Sequence, residues 1–335
     1  MTTTAAVLLE HTDAPLTAAD LELVTIARDV GDAVVVTFTP PVAAALEQLA
    51  AHGAARVVHV SGTSTLTAVA AAAVQQAVEQ AFDAAPRLLL AKATFANKEI
   101  LARAAHLLGA GLVIDAARVA VEDAGVVGAK RVFAGTWDVE CVVPEGTALL
   151  TVRPNAVRAT PVAVPTEVEV TSLTLDAARA DARGVELVSR TVHPTEGTGP
   201  ALGEAAVVVA GGRGTGGDFA PVHELAEVLG GAVGSTRDCV DEGWIEHDTQ
   251  VGQTGVTVTP RLYVGAGISG APHHRGGMQA SEVIVAVNAD PECPLFEISD
   301  LAVVGDLALV LPRAAALLRE RAGDPSVAGT APDAS

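Results

Sequence analysis

Aromatic side chains make up only 3% of the 335 residues. The cores must therefore be built from Ala, Val and Leu, which favours helices packed closely on sheets over an aromatic-rich β-sandwich. Cysteine is equally sparse: Cys141, Cys239 and Cys293 are odd in number, far apart and without a CxxC pair. That excludes a disulfide framework and a cysteine zinc site, and fits a reducing cytoplasm. Basic residues are outnumbered, with 21 Lys and Arg against 40 Asp and Glu and a net charge of -19. Such a chain repels phosphate backbones and anionic lipid surfaces, which makes nucleic acid and membrane surfaces poor partner candidates. No Lys or Arg precedes Arg28, so no secretory or transit segment is expected at the start. No apolar run reaches about 18 residues without a charge, Gln or Pro, so no membrane insertion is expected.

What the sequence does have is length and alternation. At roughly 150 residues per domain the chain suggests two domains. In the N-terminal half, apolar β-runs ("AAVLLE", "AVVVTF", "RVVHV", "RLLLAKATF", "LVID") alternate with helical patterns, the first of them N-capped by Thr17 with Asp20 in its first turn. Strands alternating with helices of 10–15 residues imply βαβ units, and runs apolar throughout imply a sheet covered on both faces. Between about Val119 and Val192 the short runs "VVGAKRVFAG", "TWDVECVV", "TALLTVRP", "VEVTSLTL" and "VELVSRTV" are expected to form an antiparallel extension of that sheet. The expected fold is α/β with a Rossmann-like, mostly parallel N-terminal domain over 1–196 and a doubly wound domain over 200–322. The boundary is placed in "HPTEGTGPALGE", more than one helix is expected after "LAVVGD", and the small, polar tail over 323–335 is expected to be disordered.

Glycine marks the ligand region. Residues 197–277 hold 19 of the 32 glycines, several directly after apolar β-runs, where backbone approaches a ligand beyond the carboxyl ends of an open α/β sheet. Gly212, Gly214 and Gly217 satisfy GxGxxG between a strand and a helix, which reads either as a dinucleotide loop or as a tight turn. Arg213 inside it suits a pyrophosphate. The acidic residue of an NAD site, expected about 20 positions on, is replaced by Thr236 and Arg237. Gly252 and Gly255 bracket Gln253 and Thr254, an amide and a hydroxyl suited to a planar heterocycle or simply a hairpin-like turn. In "YVGAGISGAPHHRGGM", His273 and His274 are adjacent, about 100° apart on a helix, so they do not chelate one metal as an i, i+4 pair does. One imidazole N–H donating to a polarised ligand oxygen and a solvent-facing pair are both open readings. Asn288 ends a strand and is a ligand or turn residue; Asp306 is a ligand or a helix N-cap. No GxSxG or paired carboxylates stand out, which points to chemistry carried by a cofactor.

The ordered series "GGRG", "AVGSTRDCVDEGW", "QVGQTG", "LYVGAGISGAPHHRGGM" and "VIVAVNADPECPLFEISDLAVVGDL" resembles the FAD-binding domain of the electron-transfer flavoprotein alpha subunit. "NKEILARAAHLLGAGLVIDA", "RVFAG" and "LLTVRP" are similar to that family's first domain. The resemblance implies an electron carrier without a turnover site of its own. It would bind FAD and pair through its N-terminal domain with a beta subunit that holds AMP. It would take electrons from dehydrogenases, acyl-CoA dehydrogenases of fatty acid β-oxidation among them, and pass them to a membrane quinone oxidoreductase. Arg213 would meet the FAD phosphates, and the Thr236 hydroxyl would contact FAD. Arg237 would lie against the isoalloxazine and favour reduced, anionic flavin. Val251, Gly252, Gln253 and Thr254 would line the ring and ribityl, with Thr254 near N5. Ser269, Gly270, Ala271, Pro272, His273 and His274 would hold phosphate and ring edge, His274 donating to the O2 carbonyl. Asn288, Asp306 and Leu307 would hold the adenosine end. Two positions depart from the family pattern: Thr236 replaces its usual Ser, and His273 its usual Gln, whose donor–acceptor pair an imidazole does not copy. A bifurcating variant, an NAD-dependent dehydrogenase using the glycine loop, and a non-redox nucleotide-binding regulator are the alternatives.

Overall fold

The computed structural model describes residues 4–133, 136–180, 185–189, 191 and 199–323. Two compact units part near residue 195. The first runs β1 (Thr4–Leu9), α1 (Ala18–Val30), β2 (Asp32–Thr37), α2 (Ala43–Ala51), β3 (Ala54–Ser61), α3 (Thr67–Gln80), β4 (Leu88–Lys92), α4 (Phe95–Leu108) and β5 (Gly111–Ala116). β6 (Arg118–Glu122), β7 (Gly125–Val132), β8 (Trp137–Val143), β9 (Ala148–Val152) and β10 (Glu169–Thr174) follow. Seven strands form one sheet in the order β10-β3-β2-β1-β4-β9-β5, and every pairing in it is parallel.

Local chemistry explains the elements. Thr17 caps α1 with the expected reciprocal box: its hydroxyl accepts from Asp20 N (3.4 Å) and Asp20 Oδ2 from Thr17 N (3.0 Å), which satisfies two otherwise orphaned donors. Along β1, Ala5, Val7 and Leu9 enter the core facing α1 and α2, while Ala6 and Leu8 enter the one facing α3 and α4, as the two-residue period of a strand requires. The Ala70–Ala73 run of α3 lies in that second core; small side chains let the helix approach the sheet closely, which compensates for the missing aromatics.

The expected antiparallel extension is corrected. β6, β7 and β8 form a separate three-stranded sheet, with β6 and β7 antiparallel. The chain then returns to the main sheet, where β9 lies parallel between β4 and β5. Ala148, Leu149, Leu150 and Thr151 are completely buried, and such a continuously apolar run belongs to an interior parallel strand covered on both faces. β10 is likewise parallel, against β3. Residues 185–189 of "VELVS" form no strand. Residues 192–198 and 324–335, where the linker and tail were expected, lie outside the described residues, apart from the linker's 199–204.

The second unit runs β11 (Val207–Gly211), α5 (Ala220–Leu229), β12 (Ala232–Ser235), α6 (Arg237–Asp241), β13 (Leu262–Ala266), α7 (Pro272–Met278), β14 (Val283–Asn288), β15 (Leu301–Val304) and α8 (Leu307–Ala322). The last helical stretch is one helix, with Pro312 inside it. The sheet is parallel throughout, in the order β12-β11-β13-β14-β15. The chain leaves β11 toward β12 on one side and comes back to β13 on the other. This reversal makes the carboxyl ends of β11 and β13 the switch point of the sheet, the position where open α/β sheets bind ligands.

Candidate functional site

Because all five strands of the second unit point the same way, the residues that follow them share one edge. Arg213 follows β11, Thr236 and Arg237 follow β12, residues 269–274 follow β13, Asn288 ends β14 and Asp306 follows β15. The 251–254 loop joins this edge through Val251 N, which donates to the Ser235 carbonyl at the end of β12 (2.9 Å).

The glycine loop after β11 serves close packing. A Cβ on Gly212 would lie 2.4 Å from Gly267 O, and one on Gly214 2.6 Å from Gly267 Cα, so only glycine lets the β11 and β13 loops touch. Its amides point inward: Gly212 N donates to Ala266 O, Gly214 N to Gly267 O, and the N–H groups of Thr215, Gly216, Gly217 and Asp218 to atoms of the same loop. The start of α5 is occupied as well, since Asp218 Oδ1 accepts from Ala220 N (2.9 Å). A carboxylate there repels a phosphate, which weighs against the literal GxGxxG reading.

The two arginines stay at the surface. Arg213 Nε meets Asp238 Oδ2 at 3.1 Å and Arg237 Nε meets Asp241 Oδ2 at 3.2 Å, with the guanidinium side chains 68% and 67% exposed. Exposed pairs of this kind are worth about 0–1 kcal/mol, so an anionic ligand can replace the aspartates cheaply. The Thr236 hydroxyl lies 3.3 Å from Cys239 Sγ.

The adjacent histidines part company. His273 is exposed and its Nδ1 lies 3.2 Å from Gln253 Oε1, while Gln253 N donates to His273 O (3.1 Å). His274 is 7% exposed; its Nδ1 lies 3.0 Å from Val251 O and its Nε2 2.7 Å from the Tyr263 hydroxyl. Burial pushes the His274 ring down to about 4, against a smaller opposing effect of the Val251 carbonyl, and pushes the Tyr263 phenol up. The outward donation expected of His274 is thus not what the structure places there: both ring nitrogens are engaged inside the fold. Thr254 is exposed and its hydroxyl oxygen accepts from Gln250 Nε2 (3.0 Å), so its own proton is directed elsewhere.

Ser269, Ala271 and Pro272 are exposed. Gly270 has φ +82°, and a Cβ on it would lie 2.9 Å from Leu295 N. At the far end the side chains turn inward. The Asn288 amide donates to Ile268 O (3.1 Å) and Cys293 Sγ (3.1 Å) and accepts from Asp290 N. Asp306 caps α8 through Ala308 N (2.9 Å). Leu307 is buried in the core under α5 and α8. For Asn288, Asp306 and Leu307, the side chains expected at an adenosine instead brace loops and core.

Two residues escaped the sequence reading: Gln250, 3% exposed behind Thr254, and Tyr263, fully buried behind His274. Tyr263 carried a signal, as the only tyrosine of the chain inside an apolar β-run where a hydroxyl needs a partner. Gln250 carried none.

Two family models match this chain. The one described as the electron transfer flavoprotein FAD-binding domain covers residues 201–279, and the one described as the electron transfer flavoprotein domain covers residues 5–180. The electron transfer flavoprotein subunit alpha of Mycobacterium leprae (strain TN) is 40% identical over 326 residues, 95% of this chain and 99% of that protein. Its counterpart from Mycobacterium tuberculosis (strain ATCC 25618 / H37Rv) is 42% identical over 324 residues, 95% and 98% of the two chains. The Syntrophomonas wolfei subunit is 35% identical over 309 residues, 91% and 96% of the two.

Proposed function

Because this chain belongs to the electron transfer flavoprotein alpha-subunit family, we propose that it is an FAD-carrying electron shuttle acting as a heterodimer with a beta subunit that holds AMP. It takes electrons from dehydrogenases such as acyl-CoA dehydrogenases of fatty acid β-oxidation and delivers them to a membrane quinone oxidoreductase. The chain works in the cytoplasm and has no substrate-turnover site of its own. Among the described residues no helix is long and apolar enough to cross a membrane, so the acceptor is reached by docking.

One observation carries the reading. The carboxyl edge of the second unit's sheet, within the FAD-binding-domain match, gathers two exposed guanidiniums, an exposed hydroxyl and an exposed amide–imidazole pair. This donor set fits the cofactor: cations for an anionic diphosphate and for a ring that gains negative charge, N–H and O–H donors for ring carbonyls and nitrogens. When bound, FAD supplies acceptance and release of one or two electrons.

The chain's own residues bind and tune. Arg213 and Arg237 exchange Asp238 and Asp241 for the cofactor, Arg213 toward the diphosphate and Arg237 toward the ring. The Thr236 hydroxyl adds a contact beside Arg237. Thr254, its oxygen engaged by Gln250, offers its proton to the ring edge. Val251 and Gly252 shape the floor of the loop, and Gln253 and His273 present donors beside it. The segment Ser269–Pro272 offers the Ser269 hydroxyl and backbone groups toward phosphate and ring edge. His274 contributes from behind the loop, and Asn288, Asp306 and Leu307 shape the adenosine end by holding backbone in place.

The test is the visible absorption of the chain co-purified with its beta partner, followed by stepwise dithionite reduction. A flavin spectrum, weakened in Arg237→Ala, supports the reading. No bound flavin after addition of FAD refutes it.

A further inference from the structure

Arg275 folds its side chain back from α7, leaving only 21% of it exposed. Its Nε donates to the Gly270 carbonyl (2.7 Å), and its Nη2 to the Pro294 carbonyl and to Glu297 Oε2 (3.2 Å). One planar fork thus ties the segment after β13 to the 3₁₀ turn Pro294–Ile298, and a planar fork holds its acceptors in fixed directions.

The direction of a carbonyl decides the direction of the next amide, because a trans peptide points its N–H opposite to its C=O. Along this segment the carbonyls are taken inside the fold. Ile268 O accepts from Asn288 Nδ2 (3.1 Å) and from the Cys293 thiol (3.2 Å), and Gly270 O from Arg275. Ala271 O accepts from the N–H groups of His274 (2.9 Å) and Arg275 (3.0 Å). The N–H groups of Ser269, Gly270 and Ala271, in contrast, donate to no described residue. Ser269 and Ala271 are exposed, so their donors face solvent or a ligand, and successive backbone donors of this kind attract an anion. Arg275 is the one described donor to the Gly270 carbonyl and therefore sets the direction of the Ala271 N–H. We propose that Arg275 is a positioning residue of the cofactor site: by holding the Gly270 carbonyl inward it keeps the Ala271 N–H turned outward, toward the diphosphate of bound FAD. The proposal rests on the FAD reading above and assigns a role to a side chain that does not itself touch the cofactor.

The test uses the full chain with its beta partner. Wild type, Arg275→Met, Arg275→Lys and Glu297→Gln are titrated with FAD, and phosphorus NMR spectra of the diphosphate are recorded on the loaded complexes. Arg275→Met keeps an unbranched apolar stem and has no donor. It should bind FAD about tenfold more weakly, the effect of one charge-assisted hydrogen bond. Its diphosphate resonances should shift while the visible absorption of the ring stays as in wild type. Arg275→Lys keeps the charge without the fork and should recover only part of the affinity. Glu297→Gln leaves both carbonyl contacts in place and should stay within about threefold of wild type. Unchanged affinity or unchanged diphosphate resonances in Arg275→Met overturn the proposal. So does a change of ring and diphosphate signals together, which is general loosening of the fold. Full recovery in Arg275→Lys, or a loss in Glu297→Gln as large as in Arg275→Met, assigns the effect to charge or to the ion pair and overturns it as well. A wild-type complex that takes up no FAD overturns the cofactor reading, and the positioning role falls with it.

Discussion

Gly277 and Gly276 are neighbours on α7, yet an added methyl group should act very differently at the two. A Cβ on Gly277 would lie 2.4 Å from Gly252 Cα and 2.5 Å from Gly252 N, which are backbone atoms of the loop that bears Thr254. Ordinary contact needs about 3.5–4 Å, so helix and loop must separate by about 1 Å. They are bound by Gln253 N to His273 O (3.1 Å), Val258 N to Gly277 O (2.8 Å) and His274 Nδ1 to Val251 O (3.0 Å). An opening of that size takes two or three of these bonds beyond hydrogen-bonding range, at about 0.5–1.5 kcal/mol each. Alanine in place of glycine returns about 1 kcal/mol of helix propensity. Gly277→Ala should therefore lose roughly 1–3 kcal/mol of stability and hold FAD at least tenfold more weakly. A Cβ on Gly276 meets the mobile end of Gln253, whose Nε2 is 2.7 Å away, and that side chain can swing aside. Gly276→Ala should be neutral or gain up to about 1 kcal/mol. Denaturant melts and FAD titrations of the two variants with the beta partner check this. Equal stability and equal FAD affinity in the two would refute the packing argument.

The acid limb of stability should carry the signature of His274, whose ring burial depresses to about 4 from 6.5. The unfolded chain takes up this proton below pH 6.5 and the folded chain does not, so stability is complete above about 6.5 and declines as pH falls toward 4. The loss is roughly 3 kcal/mol at most, and urea melts of His274→Asn between pH 7 and 4 should show a shallower decline. Arg237→Ala should lower the potential for the first electron. A guanidinium about 4 Å from the ring is worth roughly 1 kcal/mol in water and about 4 at an effective dielectric of 20, or roughly 40–170 mV for a one-electron step. Spectroelectrochemical titration of the loaded complex measures it, and an unchanged potential would remove Arg237 from the ring.

Much of this protein was legible in the sequence because local chemistry encodes it. The alternation of apolar β-runs with helical patterns identified two parallel α/β units, and Thr17 with Asp20 marked a helix start that the structure reproduces. The crowding of glycine beyond the second unit's strands pointed to the edge where the candidate ligand groups gather. Tertiary structure decided what depends on partners distant in the chain. β9 lies parallel between β4 and β5, because an apolar run does not state which neighbours will cover it. His273 faces outward and His274 inward, since neighbouring positions on a helix differ by about 100° and only the packing of α7 chooses between them. Asn288 and Asp306 looked equally suited to ligand or loop until the positions of Ile268 O and Ala308 N bound them to the fold. Composition and periodicity determine which elements form and where glycine lets backbones meet. The hydrogen bonds of the buried His274 ring, to the Tyr263 hydroxyl at 2.7 Å and to the Val251 carbonyl at 3.0 Å, exist only once three separate segments have been packed together.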